Sequence, residues 1–87
     1  MKSNFEENSM EAYIFVNTAP DMLWKVAEES LKIDGVKTAH TVTGQYDVVV
    51  QVVFKNMEAL GELIRKIHTI KGVTRTQTAV VVPPRIY

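Results

Sequence analysis

The sequence predicts an α+β fold: a ferredoxin-like βαββαβ sandwich, with a four-stranded antiparallel sheet carrying two helices on one face. Three observations carry that prediction. Hydrophobic periodicity switches between a period of two and a helical period, in the order strand, helix, strand, strand, helix, strand. The stretch IDGVKTAHT from Ile33 is echoed by IKGVTRTQT from Ile70, with Ile, Gly, Val and Thr at matching offsets. Each copy marks a helix end, a glycine stop and a strand entry, as two βαβ-type halves require. Right-handed crossovers then bring both helices to the same side of the sheet. Finally, the run VVVQVVF from Val48 is apolar at both alternating sets of positions, the mark of a strand covered on both faces.

Residues 11–17, EAYIFVN, alternate and are rich in β-branched and aromatic residues, which favours a strand. Ala19 and Pro20 then open a helix, with Thr18 as its cap and Pro20 near its first turn. Leu23, Val26, Ala27 and Leu31 recur at helical spacing and form its apolar face. Asp21–Lys25 and Glu28–Lys32 are i,i+4 pairs on the solvated side, and Asp34-Gly35 ends the helix. Val36 to Thr43 reads as a second strand and Tyr46 to Phe54 as a third, joined by a turn around Gly44 and Gln45. Asn56 caps a second helix that runs to about Thr69, with Met57, Leu60, Ile64 and Ile67 inward. Gly72 closes it, and Val73 to Val82 form a fourth strand stopped by Pro83 and Pro84.

A chain of 87 residues holds one domain with a modest core, a size at which oligomerisation is a common source of stability. Two helices cover one sheet face, so the apolar residues on the other are buried most economically against a second copy. The expectation is a homodimer packed sheet to sheet, a dimeric α+β barrel, with higher assembly through the remaining edges. Residues 1–9, MKSNFEENS, lack the apolar core of a secretory signal and read as a disordered extension or tag, leaving 10–87 as the domain. Ten basic and ten acidic residues cancel, which leaves no electrostatic footprint for direct nucleic-acid or anionic-membrane binding. The apolar runs fall well short of the ~18 residues that a membrane helix needs. The absence of cysteine excludes disulfides and thiolate metal sites and fits a cytoplasmic protein.

The βαββαβ order, the stretch VTGQYDVVV from Val42 and the stretch GVTRTQTAVVV from Gly72 together resemble a known module. It is the effector-binding domain of the leucine-responsive and asparagine-responsive (Lrp/AsnC) regulators, also called the RAM domain. The likeness spans about Glu11 to Val82, and its best-marked parts are the Gly-x-Tyr-Asp turn and the Thr-x-Thr of the last strand. Regulators of that family carry an N-terminal helix-turn-helix domain, which residues 1–9 cannot form, so the chain resembles the stand-alone form of the module. The resemblance implies a small effector, usually an amino acid, bound where subunits meet near the turn between the second and third strands. It also implies dimers that assemble into rings of eight or ten, and a full-length regulator of the same family as a partner. By position, Gly44, Tyr46 and Asp47 match the turn, Thr76 and Thr78 match the hydroxyls of the last strand, and Gln45 lies inside the matching turn.

These residue types suit a free amino acid. Asp47 supplies a charge-assisted acceptor for an ammonium. Gly44 permits positive φ and a close approach to backbone N–H groups, which can receive a carboxylate. Thr76 and Thr78, two apart on one strand, share a face, and Tyr46 offers a ring or a hydroxyl. Each also has a purely structural reading: Gly44 as a turn residue, Asp47 as a cap of the turn's N–H groups, the threonines as strand formers, Tyr46 as a packed aromatic. His40 and His68 lack the spacing of a helical metal site, so no metal or cofactor is expected. Trp24, beside the core stripe, reads as half-buried packing or a subunit contact. With no P-loop, dinucleotide glycine pattern, Gly-x-Ser-x-Gly elbow or cysteine nucleophile, the chain reads as a non-enzymatic sensor. The rival readings are a small dimeric α+β-barrel enzyme, using His40 and Asp47, and a ligand-free oligomerisation scaffold.

Overall fold

A computed structural model describes residues 9–83 and gives the elements β1 (Met10–Thr18), α1 (Leu23–Ser30), β2 (Val36–Thr41), β3 (Val48–Phe54), α2 (Met57–His68) and β4 (Val73–Val80). The strands lie in the order β2-β3-β1-β4, every neighbouring pair antiparallel, which is the expected ferredoxin-like sandwich. Apart from Ser9, the extension read at residues 1–9 lies outside the described residues, as does Pro84.

Register decides which side chains face the helices, because directly opposed residues of an antiparallel pair share a face. Ile14 stands opposite Val50 on one side and Thr78 on the other; Val16 stands between Val48 and Thr76. Ala12, Ile14 and Val16 of β1 and Val48, Val50, Val52 and Phe54 of β3 form the sheet's half of the core. Val26 and Ala27 of α1 and Leu60, Leu63 and Ile67 of α2 close over them. The alternate set, Tyr13 and Phe15 of β1 with Val49 and Val53 of β3, points away from both helices and is only partly covered. The two-sided apolar character of VVVQVVF is therefore real, and one of its faces is open.

The internal echo is a repeated turn. Val36 N–H donates to Ile33 O at 3.1 Å, and Val73 N–H donates to Ile70 O at 3.1 Å; Gly35 and Gly72 have φ of 99° and 102°. The cap of α2 is where the sequence puts it: Asn56 Oδ1 accepts Ala59 N–H at 2.8 Å. Removing that acceptor with Asn56→Ala is expected to cost about 1 kcal/mol in urea unfolding, with the fold retained.

The first helix differs from expectation in four respects. Thr18 is not its cap but the last residue of β1, and the chain turns through Pro20 and Asp21, the latter at φ 67°, before Met22 takes the N-cap position without a side-chain cap bond. The helix ends at Ser30, so the inward phase set by Val26 falls on Ser30 and not on Leu31, which is 52% exposed. Ser30 is tolerated inside because its hydroxyl donates to Val26 O at 2.8 Å. Glu29, not Asp21 or Glu28, organises the charged side: it pairs with Lys32 at 3.0 Å and Lys25 at 3.6 Å. Trp24 is 67% exposed, so it is not half-buried packing. In α2, Leu63 takes the inward place expected of Met57, which is 60% exposed, while Ile64 is half-buried.

Candidate functional site

β2 stops at Thr41 and β3 starts at Val48, so residues 42–47 form a longer connection than a two-residue hairpin, and its shape is set by contacts with the end of β1. Asp47 is the centre of those contacts. Its N–H donates to Val16 O at 2.9 Å, its C=O accepts Val42 N–H at 2.9 Å, and its carboxylate Oδ2 accepts Thr18 N–H at 2.8 Å and the Thr18 hydroxyl at 3.4 Å. Asp47 thus caps the far end of β1 and not the turn's own N–H groups. One residue earlier on β1, Asn17 Nδ2 donates to Gln45 O at 2.9 Å, which fixes the loop's backbone from the other side.

Tyr46 leaves the loop toward the open sheet face. Its ring meets Phe15 with centroids 5.1 Å apart at 37°, and its hydroxyl donates to Gln77 Oε1. Phe15 stands opposite Gln77 in β4, so Tyr46 reaches across the central strand and ties the loop to the sheet's edge. Gly44 has φ 105°, a conformation that costs a side chain strain, yet no atom lies within 4 Å of where its Cβ would be. Conformation, not crowding, calls for glycine here, and the backbone at Gly44 is open to approach.

Thr76 and Thr78 share a face, as their spacing requires, but it is the helix-facing one, beside Val16 and Ile14. The expected residues therefore form two groups: Gly44, Gln45, Tyr46 and Asp47 on the loop, and the threonines behind the sheet from Tyr46. Sequence reasoning missed Phe15, Asn17, Thr18 and Gln77, which hold the loop from positions about 30 residues away or more in the chain. His40 stands on the open face opposite Val49, while Asp47 turns to Thr18. Among the described residues no three His, Asp or Glu side chains converge on a metal-sized site, and no helix is long and apolar enough to cross a membrane.

The open face also carries a polar chain. Thr38 Oγ1 donates to Gln51 Oε1 at 3.4 Å, and Gln51 Nε2 donates to Glu11 Oε1 at 3.3 Å. It crosses β2, β3 and β1 and partners these groups with one another amid Tyr13, Val49 and Val53.

A family model described as the Lrp/AsnC ligand binding domain matches residues 11–84. The chain belongs to that family. An uncharacterised helix-turn-helix-type transcriptional regulator of Pyrococcus furiosus is 34% identical to this Lrp/AsnC domain over 86 residues, covering 92% of this chain and 57% of the regulator. The chain spans about half the length of the curated regulators it matches. A solved hypothetical protein of Pyrococcus horikoshii, 29% identical, aligns over 86% of this chain and 92% of its own with a TM-score of 0.78. A transcriptional regulator of Neisseria meningitidis, solved as a complex with L-methionine, aligns over 90% of this chain and 53% of its own, with a TM-score of 0.75. At 20% identity the likeness to that regulator is one of fold.

Proposed function

We propose that this Lrp/AsnC domain is a cytoplasmic amino-acid-sensing and oligomerisation module that holds its effector where copies of the chain meet. The observation that carries the reading is the double attachment of one loop. Its Gly44 backbone stands open, while its Tyr46 ring is built into the uncovered sheet face through Phe15 and Gln77. A ligand at the loop and a second copy on the face would touch the same short segment, so the binding of one changes the free energy of the other. Covering the face buries Tyr13, Phe15, Val49 and Val53, and the Thr38–Gln51–Glu11 chain keeps its polar groups partnered when water leaves. Gly44, Gln45 and Tyr46 form the effector's rim, Asp47 offers its second carboxylate oxygen to an ammonium, and Thr76 and Thr78 act from the helix side. The resulting dimers build rings, and a full-length regulator of the family reads the change in assembly.

The test is a thermal-shift screen of the whole chain against the twenty amino acids, with L-methionine included because the Neisseria regulator was solved with it. An effector at about 100 times its Kd adds about 2.7 kcal/mol to the native state. A selective rise that Tyr46→Phe reduces is the expected result. A flat response from a folded, oligomeric protein would sink the reading.

A further inference from the structure

The open sheet face has opposite charges at its two ends. Glu11 begins the outward row of β1 and Asn17 ends it, with Arg75 of β4 standing opposite Asn17. From residue 11 to residue 17 a strand advances roughly 20 Å, so Glu11 and Arg75 cannot meet within one chain. Neither has an ion pair among the described residues. Glu11 uses one carboxylate oxygen to accept Gln51 Nε2 at 3.3 Å, which leaves the other free, and Arg75 is exposed. A surface that covered this face without a counter-charge at each end would bury both charges unpaired, a cost that opposes docking.

The relief of the face has the same polarity. Tyr46 lies against Phe15 and Gln77 and raises the half that carries Arg75. In the half that carries Glu11, Ala79 stands opposite Tyr13, a methyl group beside a ring, and leaves a recess.

A second copy of this chain complements both patterns when it is turned end for end. A two-fold axis parallel to the strands lays acidic end on acidic end and basic end on basic end. An axis across the strands, at the level of Ile14 and Thr78, exchanges the ends. It brings Glu11 over the partner's Asn17 and the partner's Arg75, and Tyr46 over the partner's Ala79. On β2 it sets His40 over the partner's Thr38, a hydroxyl that can bond the imidazole. Packed sheets lie about 10 Å apart, a gap that a glutamate and an arginine span together.

We propose that the open face pairs with a second copy end for end, with Glu11 bound to the partner's Arg75 and Tyr46 seated on the partner's Ala79. This rests on the sheet-to-sheet dimer proposed above and gives it a direction. The two-fold makes each contact twice. The stem of the partner's Arg75 lies along Val81, whose N–H donates to Glu11 O at 2.9 Å, while Gln51 steadies the carboxylate. The two effector loops then stand at opposite ends of the dimer, each with its tyrosine against the other chain's sheet.

The experiment mixes two charge reversals of the whole chain, Glu11→Arg and Arg75→Glu, and follows assembly by native mass spectrometry and sedimentation. Alone, each variant faces like charges at both contacts of its own dimer and should associate about tenfold more weakly or worse. Mixed in equal amounts they are matched at both contacts, the introduced arginine against the introduced glutamate and the native Arg75 against the native Glu11. Heterodimers should therefore form about as tightly as the unaltered dimer. Glu58→Arg and Lys66→Glu, exposed changes on α2 behind the sheet, repeat the change in net charge and should each dimerise alone like the unaltered chain. Reversals that leave the dimer intact, that mixing does not rescue, or that the two α2 changes reproduce would each overturn the end-for-end arrangement. In those cases a Val49→Lys chain still reads whether the open face is the interface. An unaltered chain that stays monomeric overturns the arrangement and the dimer together.

Discussion

Asp47→Ala is expected to lower the stability of the ligand-free protein by about 2 kcal/mol in urea unfolding. The change removes the acceptor of Thr18 N–H at 2.8 Å and leaves that N–H, at the half-buried end of β1, without its partner. Asp47→Asn keeps an oxygen in the same place and should recover about half of the loss, since the bond survives without its charge. A neutral result for Asp47→Ala would mean that the carboxylate does not brace β1 and is wholly available to a ligand. The distinction matters for the proposed sensor. Any fall in melting temperature of an Asp47 variant mixes a lost brace with a lost ligand contact, so its effector response has to be measured against its own ligand-free baseline.

Val49→Lys is expected to turn the proposed dimer into monomers. Val49 stands at the middle of the open face, opposite Phe15 on one side and His40 on the other. Sheet-to-sheet packing would bury two new ammonium groups per dimer without partners, weakening association by at least about 100-fold, or about 2.7 kcal/mol. Light scattering after size exclusion reads the result directly. Met57→Lys makes the same chemical change at a 60% exposed position on α2, away from the sheet's open face, and should leave the dimer intact. A Val49→Lys protein that stays dimeric would place the interface elsewhere.

The elements with local signals were legible in the sequence. Asn56 caps α2 through its own side chain three residues away, and Gly35 and Gly72 stop their helices through turns contained within the echoed stretches. α1 departs from its sequence pattern at both ends, at the first for a non-local reason. Thr18 looks like a helix cap, but Asp47 takes its N–H and Val73 pairs with it, so β1 runs on. Leu31 outranks Ser30 as a core residue on hydrophobicity alone. The helix phase and a satisfied hydroxyl decide otherwise.

The candidate site was legible to the same degree. Glycine, tyrosine and aspartate in GQYD mark a constrained turn, but what each side chain does depends on residues of β1 and β4 that no spacing rule connects to the loop. The parity of Thr76 and Thr78 correctly put them on one face. Only the register with Val16 and Ile14 shows that this face is the one under the helices.

The place of β1 in the sheet also governs when the protein can fold. β1 is synthesised before the other three strands of this sheet, yet it is a central strand whose two neighbours are β3 and β4. Ala12 must find Val52 and then Val80, nearly the whole described chain away. Contacts of such separation carry loop-closure entropy before they return any stability, and they slow the search. Until β4 leaves the ribosome, β1 presents an unpaired edge of apolar and β-branched residues, the kind of edge that nascent chains lose to aggregation. Of the four strands in this sheet, the one made first therefore waits for the one made last.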